Sequence, residues 1–388
     1  MRMSYPSPLS QPSPGQPARI STTPPVAVSA APPRVRGGGV ALWIVAALLV
    51  PVLALLVLYF TRFLGPAASF IGLVLAVIPF VVVWFVVRYI DRWEPEPRRL
   101  LIFAAAWGAV AAVAIALGVD LLVTLVTGGL PDAVSSVVQA PIVEEVAKGL
   151  GILLLYAFAR RFFDGPVDGI VYGALIGAGF ALTENVQYFA IGYLEGGPGE
   201  VATTFFLRAV LSPFAHVMFT SITGFAFGLA ARRSLRTGAA LGYAVPGLIG
   251  AIVLHAVWNG SATFFNFFEV YATLQVPLFV AFIVGILFLR REESRLTRAR
   301  LGEYADAGWF TPQEVDMLAT APGRRSALAW SRTLRGDRSS IMKSFIRDAT
   351  ALAAARQRAL SGRDPYAVAT ERQLLERTTA ARAALLAP

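Results

Sequence analysis

Glu144, Glu145 and Lys148 lie in the middle of an apolar run from about Ser135 to Phe158, in the order Pro141-Ile-Val-Glu-Glu-Val-Ala-Lys. Such a run predicts a membrane-spanning helix, and charges inside one are costly unless they are paired or put to use. On a helix Glu144 and Lys148 are four apart and share a face, in the favourable acid-before-base order. Glu145 is turned about 100° away and needs a different neighbour. An ion pair accounts for Glu144 and Lys148 and leaves Glu145 unexplained. Pro141, one turn earlier, loosens the backbone at this point.

The other strongly polar groups inside apolar runs are few. Phe180-Ala-Leu-Thr-Glu184-Asn185 lies in one run, Pro213-Phe-Ala-His216 in the next, and His255-Ala-Val-Trp-Asn259 in the one after. The chain has no cysteine. Imidazole nitrogen with carboxylate oxygen and no thiolate is a donor set for a divalent ion, zinc above all. A spare carboxylate beside such a set can take the proton of a metal-bound water. Asn259, one turn past His255 on the same face, can donate to a developing oxyanion or hold the imidazole. Lys148 can neutralise either glutamate, so the residue types leave open which of Glu144 and Glu145 is the base. Taken singly, each group has a plainer reading. A lone histidine, or Glu184 with Asn185, serves as hydrogen-bonding glue between helices. Asp120 and Arg208 pair or face a wet edge, and Trp107, Trp258 and the many phenylalanines are core or lipid-facing. The chemical reading rests on the set.

These groups need elements to hold them. At 56% apolar and 15% charged residues, with a mean hydropathy of +0.62, the chain reads as an all-α, polytopic helical membrane protein. Segments near 40–60, 67–87, 100–126, 135–158, 168–193, 204–230, 239–265 and 271–289 are each long enough to span a bilayer, about eight transmembrane helices in all. Residues 1–39 are rich in Pro, Ser and Thr and predict a disordered arm without a signal-peptide pattern. Residues 290–388 predict a tail of a few amphipathic helices, broken by turns at Ala321-Pro322-Gly323 and at Ser361-Gly362-Arg363-Asp364-Pro365. Arginines gather in the arm, after the second span (Arg88, Arg92, Arg98, Arg99), after the fourth (Arg160, Arg161), after the sixth (Arg232, Arg233, Arg236) and at Arg290-Arg291. The intervening connectors hold few. This positive-inside pattern places both termini in the cytoplasm of a cell-membrane protein. It also accounts for much of the +10 net charge without a nucleic-acid partner.

Depth ties the polar groups together. Glu144, Glu184 and His255 each lie about ten residues from the outer end of their spans, and His216 about twelve, which at 1.5 Å per residue puts all four within a few Å of one level. That level is near the midplane, slightly toward the outer leaflet.

In order along consecutive spans, Glu-Glu-Val-Ala-Lys, Phe-x-x-x-Glu-Asn, a histidine on the next span and His-x-x-x-Asn on the one after resemble the motifs of PrsW-type intramembrane proteases. That family is distantly related to the CAAX prenyl endopeptidases and bacteriocin-processing proteins of the same superfamily. The connector Asp91-Arg92-Trp93-Glu94-Pro95-Glu96-Pro97 resembles the start of the family's core, and the resemblance covers about residues 80–289 of a membrane domain at 40–289. It implies that Glu144 and Glu145 hold the acid–base role, Glu184, His216 and His255 the metal or water-positioning role, and Asn259 the oxyanion role, with Lys148 and Asn185 in support. Thr220 stands where the superfamily sometimes has an acidic residue four after the histidine, so no further ligand is expected there. The implied substrate is a membrane-anchored protein, an anti-sigma factor among the candidates.

Two other classes compete. A proton-coupled transporter would use the Glu, His and Lys set as a relay, but no repeat is recognisable in the sequence. A non-catalytic scaffold would use the same set as packing glue. No His-Glu-x-x-His run, Gly-x-Ser-x-Gly elbow or Gly-x-Gly-Asp pair is present.

Overall fold

The computed structural model describes residues 36–93, 95–361 and 366–387, and all regular structure among them is helical. The expected arm lies outside the described residues up to position 35, and the first helix begins at Arg36, four residues before the expected span. Helices of eight or more residues in the first compact unit, Val35–Leu287, are α1 (Arg36–Phe63), α2 (Pro66–Ile90), α3 (Arg98–Ala106), α4 (Val113–Thr127), α5 (Ala140–Phe158), α6 (Pro166–Phe205), α7 (Ala215–Arg232) and α8 (Thr237–Phe264). The helix α9 (Val276–Asp306) runs 17 residues past the expected end of the last span.

Six helical segments are long and apolar enough to cross a membrane, so the expected count of eight is not established. The difference has physical sources. The expected spans 168–193 and 204–230 fall within one long segment, Pro166–Arg232, which is kinked between them at the non-helical Gly197. The span at 135–158 carries Glu144, Glu145 and Lys148, which lower its hydropathy. Outward faces of α1 and α2 are apolar, with Trp43, Leu48, Phe70 and Phe85 exposed, as lipid-facing helices require.

The centre of this unit is the first half of α6, from Pro166 to Phe180, which is buried almost all round. Its sequence repeats glycine every fourth residue, Gly169, Gly173 and Gly177, which puts a flat stripe on one face. That stripe meets α7 backbone to backbone in an antiparallel crossing. A Cβ at Gly169 would fall 2.0 Å from the Gly224 carbonyl oxygen, one at Gly173 2.7 Å from that of Thr220, and one at Gly177 2.4 Å from that of His216. The stripe therefore sets the position of two residues of the polar cluster. Gly177→Val is expected to force α7 outward, at about 1–3 kcal/mol for overpacking, and to displace His216. Gly242→Ala, where nothing lies within 4 Å of the added carbon, is the control. Denaturant unfolding of both variants in mixed micelles checks this, and equal stability would contradict it.

The connector after α2 is tied to the same core. Asp91 accepts from Arg88 Nη1 at 2.8 Å and from the Glu96 backbone N–H at 3.1 Å and 3.2 Å. The buried Glu96 carboxylate in turn accepts from the Tyr172 hydroxyl on α6 at 2.5 Å. Tyr172→Phe leaves that carboxylate one donor short and is expected to cost about 1.5–3 kcal/mol, read from the same unfolding measurement. An unchanged midpoint would refute the coupling. Glu94 of this connector lies outside the described residues.

The second compact unit, described from Phe288 onward, contains Pro312–Ala319, Ala321–Thr333, Ser339–Ser361 and Ala367–Leu386. Leu301, Tyr304, Phe345, Leu352 and Leu375 build its core. The expected turn at Ala321-Pro322-Gly323 is instead a helix start. Thr320 Oγ1 caps it by accepting from the Gly323 N–H at 3.1 Å, and Pro322 sits in the first turn, where a missing N–H costs nothing. The expected turn at 361–365 lies outside the described residues from Gly362 to Pro365.

Candidate active site

The local sequence explains how α5 presents its charges. A π-turn, Ser135–Gln139, runs into α5 at Ala140-Pro141. Pro141 lacks an N–H, so the regular ladder is interrupted here, and such π-turns recur at functional sites. Beyond it the helix is regular, and Lys148 reaches back to both glutamates. Its Nζ donates to Glu145 Oε1 at 2.9 Å and to Glu144 Oε2 at 3.1 Å. Lys148 is fully buried, and its ammonium also lies 3.8 Å from the Phe180 ring centroid. Such a buried charge survives only with its partners in place.

The two histidines close on this centre from α7 and α8. His216 Nδ1 is 3.1 Å from Lys148 Nζ, and its Nε2 is 2.8 Å from Glu184 Oε2. His255 Nδ1 is 3.2 Å from Glu145 Oε1, and its Nε2 is 3.9 Å from Glu144 Oε2. Phe219 stacks on the His255 ring at 4.9 Å and holds its plane. Thr220 Oγ1 donates to Glu145 Oε2 at 3.0 Å. Glu145 thus has both oxygens engaged and no exposed side-chain surface. Glu144 differs. Its Oε1 has no partner among the described residues, and its side chain keeps 11% of its surface.

Four helices, α5 to α8, therefore bring Glu144, Glu145, Lys148, Glu184, His216 and His255 into one cluster. The grouping within it differs from the expected Glu184, His216 and His255 set. Glu144, His216 and His255 each offer a donor atom, all within 4.8 Å of one another. Glu184 lies on the other side of His216 and is taken up by Arg208. A carboxylate and two imidazoles is the donor set of a catalytic zinc site, so Glu144, His216 and His255 fit a divalent ion by chemistry and proximity. Asn259 uses one of its amide hydrogens outside the cluster. Its Nδ2 donates to the Ser136 carbonyl at 2.8 Å, tying α8 to the turn before α5. Asn185 accepts from Arg208 Nε at 2.6 Å.

Comparison with known proteins decides the lineage. A profile described as PrsW family intramembrane metalloprotease matches residues 96–286, which contain the whole cluster. Over these residues the chain matches the PrsW family. Relatives named Protease PrsW include those of Clostridioides difficile (strain 630), 34% identical over 153 residues, or 39% of this chain and 62% of the relative, and Geobacillus kaustophilus (strain HTA426), 29% identical over 142 residues, or 36% and 58%. That of Bacillus subtilis (strain 168) is 32% identical over 140 residues, or 36% and 60%. The chain spans about three-fifths of the length of these PrsW relatives. No solved structure matches it significantly. The PrsW match and the six apolar helical segments together support a multi-pass membrane protein.

Several contributors to this cluster escape the sequence reading. Arg208 does not pair with Asp120, which instead accepts from Gln139 Nε2 at 3.2 Å. Phe180 and Phe219 pack on Lys148 and His255 as well as filling core. Thr220 is a hydrogen-bond donor to Glu145. Trp107 Nε1 donates to the Ala147 carbonyl on α5 at 3.0 Å. Of these, Thr220 has a readable signal, a hydroxyl one turn beyond His216 on the same face.

Proposed function

We propose that this chain is an intramembrane endopeptidase that hydrolyses membrane-anchored protein substrates at the Glu144, Glu145, His216 and His255 cluster. The observation that carries this reading is the inequality of the two glutamates. Glu145 is saturated by Lys148, His255 and Thr220 and serves as the anchor. Glu144 keeps one oxygen uncommitted at the partly open edge of the cluster. A water reaching that oxygen can give up its proton to Glu144 as it attacks a peptide carbonyl, and the same carboxyl can return the proton to the leaving amine. Lys148 holds the carboxylates in place and offsets their charge. His255, beside Glu144 and stacked on Phe219, orients the attacking side. The second Nδ2 hydrogen of Asn259 is the donor assigned to the oxyanion.

A divalent ion, zinc by its donor set, would be held by Glu144, His255 and the His216 Nδ1 in place of its contact with Lys148, and when bound it supplies Lewis-acid polarisation and a more acidic water. A substrate helix must unwind locally to expose a carbonyl, because backbone in lipid is otherwise protected by its own hydrogen bonds. The family resemblance makes membrane-anchored anti-sigma factors the first substrates to test. The arginine distribution supports cytoplasmic termini, a membrane domain at 40–289 and a cytoplasmic tail at 290–388.

The test is metal content and cleavage in parallel. Wild type purified in detergent is expected to carry a divalent ion that His255→Ala loses, and chelation is expected to abolish cleavage. Cleavage that persists at full rate in metal-free protein would assign the chemistry to the glutamate-activated water alone.

A further inference from the structure

The Arg208–Glu184–His216 chain is built with more care than an incidental ion pair needs. Arg208 lies in a π-turn, Phe206–Leu211, that breaks at Ser212-Pro213 just before α7. The π-turn re-aims its side chain back onto α6. There the guanidinium meets three residues of one face. It donates through Nη2 to Glu184 Oε2 and through Nε to Asn185 Oδ1 at 2.6 Å. It also lies 3.9 Å from the Tyr188 ring centroid. A planar fork with this many fixed contacts has little freedom to move. The Glu184 oxygen that it holds is the same oxygen that meets His216 Nε2 at 2.8 Å.

The other ring nitrogen then follows from donor and acceptor chemistry. Lys148 Nζ, 3.1 Å from His216 Nδ1, is an ammonium with donors only, and a neutral imidazole has one donor and one acceptor nitrogen. With Lys148 donating, Nδ1 is the acceptor and Nε2 carries the hydrogen, which Glu184 accepts. We propose that Arg208 is a positioning residue: by locking Glu184, it fixes His216 in the Nε2–H tautomer, with the Nδ1 lone pair turned to Lys148 and the glutamate pair. Glu184 is then an orienting carboxylate behind the histidine and not itself a metal ligand. Carboxylates of this kind fix the tautomer and ring plane of functional histidines. The tautomer stands independently of the proposed peptidase activity, and only its effect on rate rests on that reading.

The chain has two histidines, so a ¹⁵N-histidine spectrum of the full chain in lipid nanodiscs reports both rings, with His255→Ala giving the assignment. Wild type is expected to show His216 protonated at Nε2 and unprotonated at Nδ1. In Arg208→Gln that signature is expected to be lost or averaged, with kcat lower by about 10–100-fold and KM nearly unchanged. Arg208→Lys, which keeps the charge without the fork, is expected to recover part of both. A wild-type His216 protonated at Nδ1, or at both nitrogens, would overturn the proposal, as would an Arg208→Gln variant with wild-type spectrum and rate. If Arg208→Gln does not fold, Arg208→Lys and the wild-type spectrum carry the decision. If wild type cleaves nothing, the peptidase reading fails while the tautomer is still read.

Discussion

Glu144→Gln is expected to lower the cleavage rate by about 10²–10⁴-fold, the range that a general base contributes, while leaving the cluster assembled. Glutamine keeps the shape of the side chain and an oxygen that still accepts from Lys148. What it loses is the ability to take a proton at the one oxygen that has no partner among the described residues. Glu145→Gln tests the same asymmetry from the other side. Its oxygens are held by Lys148, His255 and Thr220, so neutralising it removes half of the counter-charge of a buried ammonium and its main effect is on stability. Paired rate and unfolding measurements on the two variants separate these roles. A Glu144→Gln protein with near wild-type rate beside a folded, inactive Glu145→Gln protein would reverse the assignment.

Lys148→Met is expected to carry the largest stability penalty of any single change in the membrane unit, about 3–5 kcal/mol. Methionine fills similar volume, so packing is preserved. The loss comes from leaving two buried carboxylates without the ammonium from which both accept. The penalty belongs to the stranded charges and not to the missing lysine as such. Removing a carboxylate at the same time is therefore expected to restore much of it, and Lys148→Met with Glu145→Gln should be more stable than Lys148→Met alone. Unfolding in mixed micelles, with all three variants in one lipid and detergent composition, reads the difference. A single variant within about 1 kcal/mol of wild type, the range of exposed pairs, would show that the cluster is wetter than its burial implies.

The polar residues of the candidate site are legible because lipid makes them so. In an apolar run Glu144, Glu145, Glu184, His216 and His255 stand out individually, and counting residues along each span brings them to one depth. The partnerships are another matter. Lys148 at three and four residues from the two glutamates can serve either, and geometry shows that it serves both. Nothing local marks Glu184 as the partner of Arg208, which lies 24 residues further on and is aimed by a π-turn. The glycines at 169, 173 and 177 carry a readable four-residue spacing, and they are what brings His216 and Thr220 to α5. Helix ends are less legible. Gly197-Pro198 does interrupt α6: Gly197 leaves the helical region at φ 62° and ψ −150°, and a second helical stretch follows to Phe205. Ala321-Pro322-Gly323 resembles a turn because Pro and Gly break helices internally, whereas in a first turn proline is well suited.

The measurement that bears most directly on the peptidase reading is cleavage by purified protein in liposomes. Single-span membrane-anchored proteins, candidate anti-sigma factors among them, would be co-reconstituted with wild type, Glu144→Gln and His255→Ala, each first shown to be folded. The account predicts discrete products with wild type, cut at or near the outer half of the membrane segment, and none with either variant. Products that appear equally with Glu144→Gln would contradict it.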